Sequence, residues 1–402
     1  MRNQFANIKK LMLLGFAVVS TKVMLLLFAY FFNSETYNHF NQIYYTASIV
    51  ILFGSLGFNI AVTRINVSMW LLTFAVVLTT SIAYLFLQIL SSPFENGIEI
   101  FSILLYCTFI SITGIRVFQI LFSGKYRDYV LLTLLYSILH LLIIPAIIFF
   151  NVSLFALLPA IAVLWFIIGY PKFIKQTGST EAGFKEFYKI GISAFVINSA
   201  VSLALAADKY FVNHFFPIEI ANAYTFSWSL TAPMFYIGVV IEQYLFSESN
   251  KSKSNILKRG FLLNVVLVVF YAVIASLIIN FFPGIIPSSV EYKMVLKIFS
   301  FMLIGYSVYV AAHFPINAYL FKSLGVGKQK RISIFFTIII VIYIAVYILI
   351  LREIISIDYI SLLLITWSYI FALLITKALI MFGGKEVDPS YNNLMELKNL
   401  EP

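Results

Sequence analysis

The sequence predicts an all-α polytopic membrane protein of about twelve transmembrane helices, arranged as two six-helix bundles related by a two-fold repeat. Three observations predict it. The 402 residues are 61% hydrophobic and only 11% charged, with a mean hydropathy of +0.97. Soluble domains carry roughly a quarter charged residues, so too little polar surface exists here to cover a globule of this size in water. Apolar runs long enough to span a bilayer recur along the whole chain. Finally, Lys and Arg alternate between loops in the way that orients membrane helices.

A span needs about 20 predominantly apolar residues. The runs that qualify are 11–32, 40–63, 69–90, 98–122, 128–150, 153–170, 190–212, 220–246, 260–282, 294–318, 332–351 and 358–382. The first is too long for a secretory signal and no small-x-small cleavage site follows it, so it is expected to be retained as the first helix. The fifth and sixth are joined by a very tight hairpin at Asn151–Val152. The tenth contains His313 and Pro315, which predict a kink or an early end.

Placing the N-terminus inside assigns Arg2, Lys9 and Lys10, then Arg64, Lys125 and Arg127 to the cytoplasmic side. The same side takes Lys172, Lys175, Lys185 and Lys189, and then Lys251, Lys253, Lys258 and Arg259. Lys322, Lys328, Lys330, Arg331, Lys385 and Lys398 complete it. Only Lys293 and Arg352 fall outside. This bias predicts that both termini are cytoplasmic. It also accounts for the net charge of +10 without nucleic acid as a partner. The expected units are a bundle over 1–170, a cytoplasmic linker over 171–189, a bundle over 190–382 and a tail over 383–402. The linker has a Gly178–Thr180 turn and then a mixed stretch, 184–188, that suits an interfacial helix. Cys107 is the single cysteine, so neither an internal disulfide nor a cysteine metal site is expected.

The two halves share a pattern. Phe31, Phe32, Glu35, Asn38 and Phe40 correspond, at one constant offset and without a gap, to Phe215, Phe216, Glu219, Asn222 and Tyr224. Both stretches lie in the first outer turn of a six-helix half. Both enter and leave the membrane in the same sense, which predicts parallel repeats about an axis along the membrane normal.

On these residues a family resemblance rests. Phe31-Phe32-Asn33-Ser34-Glu35-Thr36-Tyr37-Asn38, followed by Leu52 through Asn59 and Arg64, resembles the Wzx-type O-antigen and polysaccharide flippases. These belong to the superfamily that also holds the multidrug and toxic compound exporters. Asp208-Lys209 and the second Glu-x-x-Asn-x-Tyr turn resemble the matching region of their second half. The chain departs where the family has Gly after the first aromatic: Asn38 and Asn222 stand there, and Asn tolerates left-handed backbone. The resemblance implies alternating access between two bundles in the bacterial inner membrane. It implies ion-coupled transfer of an undecaprenyl-pyrophosphate-linked oligosaccharide from the inner to the outer leaflet. Membrane lipid, a glycan polymerase and glycosyltransferases of one pathway are the implied partners, and no cofactor is implied.

Ionisable residues inside spans are expensive and are functional candidates by default. Lys22, Arg116, His140, Lys209 and Lys297 are the candidates for an anionic headgroup, because Arg forks onto phosphate and Lys meets it as a point charge. Asp208 and Glu242 are the candidates for a coupling ion. Asp208 and Lys209 are adjacent and are expected to point apart rather than pair, leaving Asp208 to meet Lys22 or Arg116. His313 is expected to line a cavity or fill a kink, and Lys377 to anchor the topology. Gly325-Val326-Gly327-Lys328 lacks the leading Gly and the following Ser or Thr of a phosphate loop. No sugar-nucleotide motif, zinc motif or nucleophile elbow occurs, so no catalytic residue is expected. Two other functions fit less well: a membrane glycan polymerase, which would need a long outer loop, and a small-molecule antiporter of the same superfamily.

Overall fold

The computed structural model describes residues 23, 25–65, 67–91, 96–123, 125–174, 183–247, 253–323, 326–351 and 357–382. Every regular element in them is helical. The first half comprises α1 (residues 25–31), α2 (Ser34–Ser55), α3 (Phe58–Arg64), α4 (Met69–Ser91), α5 (Gly97–Phe122), α6 (Tyr126–Leu141), α7 (Ile143–Phe150) and α8 (Leu154–Ile174). The second comprises α9 (Phe184–Phe215), α10 (Ile218–Thr231), α11 (Pro233–Ser247), α12 (Lys253–Phe281), a 3-10 turn at Pro283–Ile285, α13 (Tyr292–Ser323), α14 (Val326–Leu351) and α15 (Tyr359–Phe382).

Eight helical stretches among the described residues are long and apolar enough to cross a membrane: α4, α5, α6 with α7, α8, α12, α13, α14 and α15. The chain is therefore a multi-pass membrane protein. The expected second and eighth spans are each built of two helices, α2 with α3 and α10 with α11. The seventh is α9, in which Phe184–Val196 and Ala200–Phe215 meet at 67°. Of the first span, α1 lies within the described residues.

Local chemistry explains the breaks. α2 stops where Leu56 and Gly57 take positive φ, +36° and +67°. Gly57 is obligatory there twice over. It occupies the left-handed region, and a Cβ on it would sit 2.4 Å from the Gly191 carbonyl oxygen. This contact, with Phe58 stacked on Phe187 at 4.4 Å, fastens the first arm of α9 to α3. The expected interfacial stretch 184–188 is thus the start of a helix that runs on through 189. α7 ends on Asn151 in the left-handed conformation, which makes the tight hairpin that the sequence predicts. Pro315 does not end its span: α13 continues from Tyr292 to Ser323. Asn33, Asn96 and Asp358 cap α2, α5 and α15, each side-chain oxygen accepting a first-turn backbone N–H at 2.8–3.0 Å.

The repeat is visible in the backbone. One helix ends at residue 31 and its counterpart at Phe215; the next begin at Ser34 and Ile218, the same offset as the sequence match. The expected left-handed turn at Asn38 and Asn222 is not formed. Asn33 caps α2 immediately, so Asn38 already lies in its second turn, and Asn222 lies equally inside α10.

Candidate functional site

The two halves meet along α2, α9 and α10. At the end that carries the 33 and 217 turns, the end the charge bias predicts to be outer, a seam of hydrogen bonds joins them. Asn222 Nδ2 donates to the Ser34 carbonyl at 2.9 Å and to its hydroxyl at 2.7 Å. Ser34 Oγ in turn donates to the Ser289 carbonyl at 3.2 Å, and Ser289 Oγ to the Ala29 carbonyl at 2.5 Å. The Tyr30 hydroxyl donates to the Ile285 carbonyl. Nearer the middle, Gln42 Nε2 donates to the Asn213 carbonyl at 2.8 Å, and Thr46 Oγ1 lies 3.0 Å from His214 Nε2.

Beyond this seam the halves part around a cavity of about 470 Å³. Leu25, Tyr44, Tyr45 and Ser48 form its wall from the first half. The second half supplies Ser202, Trp228, Phe235, Tyr236, Glu242, Tyr309, His313, Phe314 and Asn317 among others. Seven of these are aromatic rings of Phe, Tyr or Trp. Gly238 permits the Phe314 ring to lie flat on α11, since a Cβ there would be 2.0 Å from it. Among the described lining residues Glu242 is the one formal charge, and none is Lys or Arg.

Behind Glu242 runs a directed hydrogen-bond chain. Lys377 Nζ, which can only donate, bonds Asn317 Oδ1 at 2.8 Å. That fixes the amide, so Asn317 Nδ2 donates to His313 Nε2 at 2.9 Å. A neutral His313 then carries its proton on Nδ1, which donates to the Tyr309 hydroxyl at 2.6 Å. Glu242 sits beside Asn317 and within electrostatic range of Lys377. Lys377, expected as a topological anchor, is instead buried.

Asp208 and Lys209 correct another expectation, because they pair with each other. Asp208 Oδ1 accepts from Lys209 Nζ at 2.8 Å and from its backbone N–H at 2.7 Å. Asp208 Oδ2 accepts from the Tyr224 hydroxyl at 2.8 Å. The Lys stem is long enough to fold back on its neighbour, which reasoning from Cβ directions overlooks. Its ammonium also lies 3.6 Å from the Trp228 ring centroid. Both residues are fully buried, and Trp228 separates the Lys209 charge from the cavity.

The remaining candidates lie elsewhere. Arg116, fully buried, donates to the Val67 carbonyl at 2.9 Å and to Gln119 Oε1 at 2.7 Å, while Gln119 Nε2 reaches the Val62 carbonyl at 3.1 Å. Arg116 thereby satisfies a carbonyl in the turn to α4 and orients Gln119 onto one near the end of α3, and it does not line the cavity. Arg116→Ala is expected to cost about 1.5–3 kcal/mol, the scale of a hydrogen bond to a charged group, with transport per folded molecule unchanged. A thermal melt in detergent beside a transport assay checks this. His140 bonds the Tyr106 hydroxyl at 3.0 Å and the Tyr136 carbonyl at 2.8 Å inside the first half. Lys297 is exposed, 5.6 Å from the Tyr359 ring centroid. Lys22 lies outside the described residues. The expected electropositive route is therefore not built from Arg116, His140, Lys209 or Lys297 in this structure. Sequence reasoning missed the aromatic walls and Asn317. The readable signal for Asn317 was its spacing of four from His313, which puts two polar groups on one face of an apolar helix.

Comparison with solved structures finds the same architecture in multidrug resistance MATE family transporters of the MOP superfamily. One in an inward-facing conformation superposes with a TM-score of 0.50 at 11% identity, covering 96% of this chain and 96% of that chain. One in an outward-facing conformation gives 0.51 at 14% identity, covering 92% and 93%. No family model matches the sequence, and no curated protein matches it.

Proposed function

We propose that this chain is an alternating-access carrier that moves a lipid-linked oligosaccharide between leaflets of the bacterial inner membrane. The observation that carries the reading is the cavity between two repeat halves, shut at one end by hydrogen bonds and walled by aromatic rings. Aromatic faces suit the apolar faces of sugar rings, while Ser48, Ser202 and Asn317 offer hydroxyl and amide partners. A polar headgroup crosses hydrocarbon only if protein or water replaces its hydration. The superfamily that the fold points to and the Wzx-type resemblance agree on transport. Cytoplasmic termini follow from the charge bias.

Lys22 is the group we assign to the pyrophosphate. In the sequence it stands near the middle of the first apolar run, three residues before Leu25, and Leu25 lines the cavity. Asp208, beside Lys209, is assigned to ion coupling, with Glu242 as the alternative at the cavity wall. A flipping assay in proteoliposomes with a fluorescent undecaprenyl-pyrophosphate oligosaccharide tests the reading. The wild-type chain is expected to move the label to the other leaflet, and Lys22→Ala to fall to the rate of empty vesicles. No transfer by the wild-type chain would sink the proposal.

One observation favours a second reading. With a carboxylate as the cavity's formal charge and no described Lys or Arg on its wall, an organic cation would also be accommodated. The same vesicles loaded with a cationic dye separate the two: dye efflux without lipid transfer selects the antiporter.

A further inference from the structure

We propose that the oligosaccharide this chain carries bears a free ammonium, as an unacetylated amino sugar does, and that Glu242 receives that ammonium while a neighbouring sugar lies on the rings of Phe235 and Tyr309. The inference rests on the carrier reading and names a chemical feature of its cargo.

Two neighbouring helices build the site. On α11, Phe235, Val239 and Glu242 line the cavity at i, i+4 and i+7, one face of a helix. On α13, Tyr309, His313 and Asn317 line it at a spacing of four. The two helices pack directly on each other, with the Phe314 ring against Gly238, one turn from Glu242. Seven residues separate Phe235 from Glu242 by about 10 Å along the helix. The wall therefore has an aromatic end and a carboxylate end. At the aromatic end the Phe235 ring lies 5.3 Å from Trp228 and 6.2 Å from Tyr309, centroid to centroid.

The carboxylate end is short of positive charge. Among the described residues the ion pairs are Asp128–Lys172 and Asp208–Lys209, and Glu242 belongs to neither. Lys209 is spent on Asp208, behind Trp228. Lys377 donates to Asn317 Oδ1 and lies 5.4 Å from the Phe336 ring centroid, off the cavity wall. It offsets the Glu242 charge through an amide and not by contact. Both His313 nitrogens are also engaged, with Asn317 and Tyr309. The open acceptor on this face is the Glu242 carboxylate, which has room for about four donors.

The surroundings select the donor. A charge at membrane depth needs a partner, and a carboxylate left without one is costly. An ammonium brings three N–H donors and a full positive charge, where a sugar hydroxyl brings one donor and none. A divalent metal would need several further oxygen ligands, and no cluster of three His, Cys, Asp or Glu stands here among the described residues. The 10 Å offset places the ammonium on a sugar beside the one that stacks.

Two fluorescent undecaprenyl-pyrophosphate oligosaccharides that differ at one sugar, amino in one and acetamido in the other, test this. Transfer is measured in proteoliposomes of the full chain, below saturation and at mildly acidic pH so that the amine is charged. The amino probe is expected to cross about tenfold faster, the factor that corresponds to the low end of measured coupling between close charge pairs. Glu242→Gln is expected to bring the two probes to one rate. Equal rates in the unaltered chain, or faster transfer of the acetamido probe, overturn the inference and leave the carrier reading standing; that comparison needs no variant. A preference that survives Glu242→Gln removes Glu242 as the receiving group. Loss of transfer for both probes in that variant, at an unchanged melting temperature, makes Glu242 a coupling group and likewise overturns the inference. No transfer of either probe by the unaltered chain sinks the carrier reading itself, and the inference falls with it.

Discussion

Asp208→Ala will destabilise this protein severely, by about 3–5 kcal/mol, because it strands the Lys209 ammonium in a dry site. The larger part of that cost is the orphaned charge rather than the lost attraction. Lys209 has the Asp208 carboxylate at 2.8 Å and the Trp228 face at 3.6 Å, and it is fully buried. An ammonium at membrane depth can snorkel only if its stem points toward an interface, and this one folds back on its neighbour. Neutralising both partners removes the problem. Asp208→Asn with Lys209→Met should recover a folded, monodisperse protein with a melting temperature near that of the unaltered chain. If Asp208 couples an ion, that recovered protein will still fail to transport. Thermal melts and the vesicle assay read the two outcomes separately. Normal melting of Asp208→Ala would mean that the pair is not dry, and normal transport by the double variant would remove Asp208 from the mechanism.

Helix placement was legible in the sequence because hydrocarbon demands it. Twenty apolar residues and the alternation of Lys and Arg leave few ways to thread a chain, and even the Asn151 hairpin followed. The repeat was legible too, since its offset recurs in the helix ends at 31 and Phe215. The site was much less so. Reading charges as functional by default singled out Glu242, which lines the cavity, but also Arg116, which spends its guanidinium on the Val67 carbonyl and Gln119. Sequence spacing cannot say whether a buried cation has found local carbonyls, because those belong to a turn formed by another helix. Nor did charge reveal the seam between the halves. It is built mainly from Asn, Gln, Ser, Thr and Tyr, which carry no charge and scatter through apolar runs. What marks Tyr309, His313 and Asn317 is the four-residue period of polar atoms, a weaker signal than a lysine in a membrane span.

Locking the seam should stop transport outright while leaving the fold intact. Alternating access needs the end that carries Ser34 and Asn222 to open, and the bonds there link α2 of one half to α10 of the other. Each bond contributes little: side-chain hydrogen bonds between membrane helices average about 0.6 kcal/mol. A seam of several such bonds can therefore hold one state without trapping it, whereas a covalent link cannot be broken by cargo binding. Ser34→Cys with Asn222→Cys places thiols where the native side-chain atoms are 2.7 Å apart. The single native cysteine, Cys107, is fully buried and needs no removal. Bridging the pair with a short bifunctional thiol reagent is expected to reduce transfer to the level of empty vesicles, and cleaving the bridge to restore it. A pair inside one half supplies the control. Asn213 and Thr225, 2.9 Å apart within the second half, should tolerate the same bridge with little loss, because that bridge joins two helices of one half. Undiminished transport by the bridged Ser34–Asn222 protein would show that transfer does not require this end to open, and alternating access through the cavity behind the seam would be overturned.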